Sequence, residues 1–195
     1  MQKERFEWIH SWCDETQNAD LPRVLLVGDS ITYGYQEQVR ARLKGVCFVD
    51  YVATSYAVDS KMYNELVKSF VADSDYAVVH FNHGLHGKHM SKRTYKSRVQ
   101  KLLSKMSAKV ILATSTFVYQ PGNKRADGSW MKRVRERNTA MQELANEKGY
   151  ALDDLYAVSV AISKDKRAED GTHYLSDGYE ILADAVAESI KNNLK

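Results

Sequence analysis

Short apolar runs alternate with longer segments of helical periodicity along most of the chain. Each run has the length of a strand buried on both faces, and each longer segment repeats its apolar residues at helical spacing. The predicted strands are 24–27, 46–52, 76–81, 110–113 and 150–152, and the predicted helices are 33–43, 59–70, 91–106, 130–148, a short one from Asp154 and a last one from Ser176.

Five strands that alternate with helices predict an α/β protein with a parallel sheet between two helical layers. We expect a three-layer α/β/α sandwich in the flavodoxin-like strand order 2-1-3-4-5, as a single domain over residues 1–195. In that order the loops after the first three strands meet at one edge of the sheet.

The segment ahead of these strands, 3–15, places Phe6, Ile9 and Cys13 at helical spacing. This spacing predicts a helix that lies against the sheet. Trp8 and Trp12 lie on a neighbouring stripe, which favours a packing role for both.

Composition limits the classes of function. The chain of 195 residues is 44% hydrophobic, which suits one domain with a sizeable core. A formal charge of +3 does not indicate a nucleic-acid partner, and no apolar run approaches the length of a membrane span. No signal peptide is visible, so we expect a cytoplasmic protein in which Cys13 and Cys47 stay reduced.

The first candidate for chemistry is Ser30, in the block Gly28-Asp29-Ser30 between the first strand and the first helix. Ligands of open α/β sheets bind at the carboxyl ends of the strands, so this hydroxyl faces a substrate. The N-terminus of the helix also favours developing negative charge. Alternatively, Asp29 and Ser30 only cap the helix.

A partner for Ser30 comes near the other end of the chain, in 170–173, Asp-Gly-Thr-His. Asp170 can accept a hydrogen bond from one nitrogen of the His173 ring, which leaves the other nitrogen to take a proton from a serine. The two blocks together indicate a Ser-His-Asp arrangement.

With these two blocks the chain resembles the SGNH, or GDSL, hydrolases, over about residues 23–190. The resemblance implies a serine esterase without a cofactor. It also implies an oxyanion hole, for which we expect the N–H of Ser30, an N–H near Ser55 and the amide of Asn82. The Gly-x-Asn-Asp block of the family is replaced here by Asn-x-Gly-Leu-His at 82–86, as in a variant branch, so Asn82 could instead only shape a turn.

Other residues are candidates for contact with the substrate. Asp29 and His86 adjoin the predicted site, and Tyr119 and Trp130 flank the irregular stretch 114–129, whose length favours a functional loop over an idle one. We expect these four side chains to bind the substrate.

Two further patterns have a functional and a neutral interpretation. His80, His83, His86 and His89 recur every three residues, which suggests a metal site, but the stretch passes from a strand into a loop and we expect no metal there. The basic helix 91–106 suggests a nucleic-acid surface, but no aromatic residues interleave with its charges. We expect a solvated face.

The sequence therefore predicts an esterase for small acyl groups, with acetylated carbohydrate as the leading substrate. No large insertion covers the predicted site, which favours a shallow pocket. Two alternatives stay open: a binding protein of the same fold without catalysis, and a metal-dependent hydrolase that uses the cluster of histidines.

Overall fold

A six-stranded sheet lies at the centre of the protein, whose computed structural model describes residues 3–194. The strands are β1 (Ile9–Trp12), β2 (Arg23–Gly28), β3 (Phe48–Thr54), β4 (Tyr76–Asn82), β5 (Lys109–Ala113) and β6 (Ala151–Asp153). The helices are α1 (Ser30–Leu43), α2 (Lys61–Asp73), α3 (Lys92–Leu103), α4 (Gly128–Lys148), α5 (Leu155–Ala161) and α6 (Ser176–Leu194), with a 3₁₀ turn at Lys164–Lys166.

The strand order is β1-β3-β2-β4-β5-β6, and all neighbours from β3 to β6 are parallel. Without β1, this is the predicted order 2-1-3-4-5. The predicted α/β/α sandwich is confirmed, with a mixed sheet of six strands in place of a parallel sheet of five.

The expected helix over 3–15 is wrong. Residues 9–12 form β1, which pairs antiparallel with β3, Ile9 opposite Thr54 and Trp12 opposite Tyr51. All four residues of β1 are exposed, so no apolar face is buried against the sheet. The strand is held by its backbone ladder to β3, and three apolar residues at helical spacing could not reveal this pairing.

Two cores lie on opposite faces of the sheet. Along β2, Val24 and Leu26 belong to the core under α1 and α6, while Leu25 and Val27 belong to the core under α2, α3 and α4. All four side chains are at most 1% exposed. Burial on both faces explains the continuous apolar run and fixes β2 in the middle of the sheet.

None of the helices within residues 3–194 has the length and apolar character needed to cross a membrane.

Candidate active site

Ser30 is the first residue of α1, and only Asp29 separates it from the end of β2. The turn between them needs Gly28, because a Cβ there would lie 1.9 Å from Thr32 Oγ1 and 2.5 Å from the carbonyl oxygen of Asn82. Asp29 is the N-cap of α1, with its Oδ1 accepting from the N–H of Ile31 at 3.0 Å. The N–H of Ser30 lies in the first turn, where a helix provides no acceptor.

His173 and Asp170 lie in the turn that leads into α6. One oxygen of Asp170, Oδ1, accepts from the N–H groups of Thr172 at 2.8 Å and His173 at 2.9 Å. Gly171 has a φ of 80°, and its carbonyl accepts from the N–H of Tyr119 at 2.8 Å. The turn is therefore fixed by its own carboxylate and by the loop after β5.

The structure brings these three predicted residues together. His173 Nε2 lies 2.8 Å from Ser30 Oγ, and His173 Nδ1 lies 2.6 Å from Asp170 Oδ2. Partial burial acts to raise the pKa of the Asp170 carboxyl, but hydrogen bonds from the His173 ring and the backbone outweigh it, so this pKa is lowered. Asp170 therefore stays ionised and can balance an imidazolium at His173.

Asp29 was expected to bind the substrate, but its side chain is not open to one. Its side chain is 1% exposed, and Oδ2 accepts from the N–H groups of Gly84 and Leu85, both at 3.1 Å. Both carboxylate oxygens thus accept hydrogen bonds from backbone N–H groups. Asp29 instead ties the start of α1 to the loop after β4.

The expected oxyanion role of Ser55 is not supported. The N–H of Ser55 donates to the carbonyl of Trp8 at 3.3 Å, and its Oγ accepts from the N–H of Trp8 at 2.9 Å. The same Oγ donates to Glu7 Oε2 at 2.7 Å. The segment before β1, for which a helix was expected, occupies this position.

The expected oxyanion role of Asn82 is not supported either. Its side chain is 2% exposed, and Nδ2 donates to the hydroxyl of Tyr35 at 3.2 Å. Tyr35 also shares a hydrogen bond with Thr32 at 3.0 Å. The amide of Asn82 therefore belongs to a buried polar network with Tyr35 and Thr32.

A cleft of about 150 Å³ opens beside Ser30 and His173. It is also lined by Glu4, Leu85, His86, Val118, Trp130 and Thr172. His86 and Trp130 thus lie where contact with a substrate was predicted. Tyr119 does not line this cleft, since its ring packs on Phe117 at 4.8 Å and beside the Arg167 guanidinium at 4.8 Å. Tyr119 supports the turn of Asp170 and His173.

The four histidines at intervals of three do not converge on one site, although the rings of His83 and His86 lie 5.8 Å apart. His80 pairs with Asp153 at 2.9 Å in the core, His86 with Glu4 at 2.8 Å and His89 with Asp59 at 2.8 Å. His83 packs on the ring of Tyr63 at 4.6 Å. Among residues 3–194, no group of three or more His, Cys, Asp or Glu side chains could hold a metal ion.

Two residues of the site were missed in the sequence. Arg137 of α4 is 1% exposed and donates to the carbonyls of Gly84, His86 at 2.6 Å and Gly87 at 2.7 Å. Glu4 reaches the cleft from the segment before β1. Arg137 resembles any charged residue on an amphipathic helix, and Glu4 lies in the segment for which a helix was expected, so no local signal marked them.

Comparison with known proteins identifies the architecture. No protein-family model matches the chain, and no curated protein matches it. Several solved structures, however, are similar to it. A lipase/acylhydrolase from Enterococcus faecalis is 19% identical, with a TM-score of 0.71 over 89% of this chain and 97% of that one.

Two further solved structures are similar to the same degree. An acetylxylan esterase from Geobacillus stearothermophilus has 16% identity and a TM-score of 0.70, over 87% of this chain and 94% of that one. An aryl esterase from M. smegmatis has 15% identity and a TM-score of 0.71, over 88% of this chain and 99% of that one. The chain therefore has the fold of the GDSL, or SGNH, hydrolases.

Proposed function

We propose that the protein is a serine esterase that hydrolyses small acyl esters, with acetyl esters of carbohydrates as the leading substrates. One observation carries this proposal: the continuous chain of contacts from Ser30 Oγ through His173 to Asp170, at 2.8 and 2.6 Å. Both distances lie within the range in which a base can take the proton of a nucleophile.

The mechanism follows from this geometry. Ser30 attacks the ester carbonyl while His173 Nε2 takes its proton, and Asp170 holds the ring in the tautomer with a proton on Nδ1. His173 then returns the proton to the leaving alcohol. A water molecule then attacks the acyl-enzyme in the same way and gives its proton to His173. The acid leaves as Ser30 regains a proton. The N–H of Ser30 and the N-terminus of α1 favour the negative charge of the intermediate.

The size of the cleft favours a small acyl group. A cleft of about 150 Å³, with Leu85, Val118 and Trp130 on its walls, suits a short chain better than a long one. The similarity of fold to an acetylxylan esterase agrees with acetyl, although that substrate belongs to the other protein.

A binding protein without catalysis is the second candidate. It is favoured by the positions of Ser55 and Asn82, whose expected oxyanion donors are engaged with Trp8 and Tyr35. Such a protein would hold an ester without cleaving it.

The nucleophile provides the test. Ser30→Ala should lower kcat with p-nitrophenyl acetate as substrate by about 10⁴-fold or more, since the members of a triad fail as a unit. It should also abolish labelling by a fluorophosphonate probe. Ser97→Ala, at an exposed serine on α3, is the matched control and should keep both.

The outcomes separate the candidates. Hydrolysis and labelling that depend on Ser30 support the esterase, and a panel of acyl lengths and acetylated sugars then ranks its substrates. A folded parent protein that binds acetylated sugar but neither hydrolyses esters nor reacts with the probe would favour the binding protein.

A further inference from the structure

A second pair of carboxylate and imidazole lies in the cleft beside Ser30. His86 Nδ1 lies 2.8 Å from Glu4 Oε1, although the two residues are 82 positions apart in the chain. Both side chains line the cleft together with Ser30 and His173. The side chain of His86 is only 13% exposed, so most of its ring is removed from bulk water.

The other ring nitrogen of His86, Nε2, is buried and lacks a hydrogen-bond partner among residues 3–194. A buried polar group without a partner destabilises the folded state, because it has lost its bonds to water and gained none. An acceptor supplied by a substrate in the cleft would remove that cost.

The loop that carries His86 is held from two sides. Arg137 donates to the carbonyls of Gly84, His86 and Gly87, and Asp29 accepts from the N–H groups of Gly84 and Leu85. A donor on a loop fixed in this way is organised before the substrate binds, which is what stabilisation of a transition state requires.

The surroundings of His86 favour its charged form. The acidic groups Glu4 and Glu7 face it from the segment before β1, and Asp29 faces it from the turn after β2. Arg137 of α4 and His83 of the same loop are its basic neighbours, and Lys88 of that loop acts on Glu4. Burial alone acts to lower the pKa of His86. The hydrogen bond to Glu4 and the nearby negative charges outweigh burial, and the pKa is raised.

We propose that His86 is a catalytic residue whose Nε2–H donates to the ester carbonyl oxygen as that oxygen becomes an oxyanion. The inference rests on the esterase function proposed above. It assigns to His86 the role that the sequence suggested for Asn82, and to Glu4 the role of a positioning residue.

The proposed step needs only the ester and the protein's own groups. Ser30 Oγ forms a bond to the carbonyl carbon, its proton passes to His173 Nε2, and the π pair of the carbonyl moves onto its oxygen. The N–H of Ser30 and Nε2–H of His86 hold that oxygen. When the intermediate collapses, the bond from carbon to the alcohol oxygen breaks and the alcohol leaves with the proton of His173.

The proton on His86 gives the role a recognisable pH dependence. Because Nδ1–H donates to Glu4, loss of a proton leaves Nε2 with a bare lone pair that repels the oxyanion. We therefore expect kcat to fall on the alkaline side, above the ordinary imidazole pKa of about 6.5.

The experiment compares three variants by kcat, KM and pH profile, with the fluorophosphonate reaction as a check on Ser30. His86→Ala should lower kcat by about 10²- to 10³-fold with little change in KM, as for other oxyanion donors. His86→Gln can place an amide N–H near the site of Nε2–H, and should recover much of the rate without the alkaline fall. Glu4→Gln removes the charge and should move the alkaline fall to lower pH.

His89→Ala is the matched control, because His89 forms a similar pair with Asp59 in the same loop but does not line the cleft of Ser30. It should keep the parental kcat and profile. Parental kcat in a folded His86→Ala variant would overturn the role of His86 alone. A His86→Gln variant as slow as His86→Ala, or an alkaline fall that survives in it, would also overturn that role. A parent without esterase activity would overturn the proposed function itself.

Discussion

At the scale of single residues, the buried carboxylate of Asp29 makes three backbone hydrogen bonds, to the N–H groups of Ile31, Gly84 and Leu85. One oxygen caps α1 and the other holds the loop after β4. A cap is predictable from a sequence, since Asp favours that position. The second contact depends on β2 and β4 lying side by side, which only the folded sheet provides.

The buried contact between Asn82 and Tyr35 leads to a prediction. Asn82→Ala removes the donor to Tyr35 and leaves buried groups unpaired, so it should lower the free energy of unfolding by about 1–3 kcal/mol. The folded variant should keep kcat within a few-fold of the parent. Denaturation in urea and steady-state kinetics on the same sample measure both.

Tyr35→Phe provides the companion variant, because it removes the hydroxyl that Asn82 contacts. The two substitutions should be less than additive in the double variant if they break the same contact. If instead well-folded Asn82→Ala turns over substrate at least about 100-fold more slowly than the parent, Asn82 returns to the oxyanion site.

The Ser30, His173 and Asp170 positions were predictable because each belongs to a local block with a backbone signature: a strand end before a helix, and a turn before a helix. The hydrogen-bond partners of the two expected oxyanion donors, Ser55 and Asn82, were not predictable. Whether an N–H or an amide points into a cleft is decided by its competitors, here Trp8 for Ser55 and Tyr35 for Asn82.

At the scale of elements, α4 contributes to the site through Arg137, which crosses from the helix to three carbonyls of the loop after β4. Its guanidinium also lies 4.9 Å from the ring of Tyr95, whose hydroxyl donates to the carbonyl of His83 at 2.6 Å. A planar cation with several N–H groups suits such a cluster of carbonyls, and a lysine does not.

Arg137→Met should therefore unfold more easily and lose activity. Three carbonyls of the loop lose a charged donor, and we expect a loss of several kcal/mol in the free energy of unfolding, with a lower kcat in the molecules that stay folded. Calorimetry and kinetics below the melting temperature measure the two effects.

Arg133→Met is the control on the same helix, one turn earlier. Arg133 is partly exposed and pairs with Glu136 at 2.8 Å, so its loss should change stability by less than about 0.5 kcal/mol. Equal effects of the two substitutions would contradict a special role for Arg137.

The strand that could not be predicted is β1. Strands that are buried on both faces are recognisable by their continuous apolar runs, whereas an exposed edge strand has no such run. In 9–12 the residues are Ile, His, Ser and Trp, and the pairing with β3 gives them their conformation.

For the molecule as a whole, the order of the parallel strands was predicted from the alternation of strands and helices together with a central position for the strand before Ser30. The helices that fill both faces leave few other arrangements. The dependence of the global stability on pH, in contrast, is set by buried groups whose surroundings cannot be read from the sequence. The buried ring of His83 is one such group.

His83 should make the protein less stable in mild acid. Burial lowers its pKa to about 4, below the ordinary value of about 6.5 that it regains on unfolding. Between these values the unfolded chain takes a proton that the folded protein refuses, so stability falls as the pH drops through this window. The difference is on the order of 3 kcal/mol.

Urea denaturation at two pH values, one near neutral and one within this window, measures the effect. His83→Gln keeps a polar side chain without a titrating group, and its stability should depend less on pH than that of the parent. An unchanged difference between the two pH values would show that other groups cause the acid sensitivity.

The pairing of β1 with β3 also has a consequence for the solubility of the protein. All seven residues of β3 are buried, and β1 covers the backbone groups along one side of this strand. An uncovered strand of this kind is a template for pairing between molecules. The connection 15–20 is exposed, so a protease cut there would leave β1 and Glu4 held only by non-covalent contacts, and their dissociation would leave a core prone to aggregate.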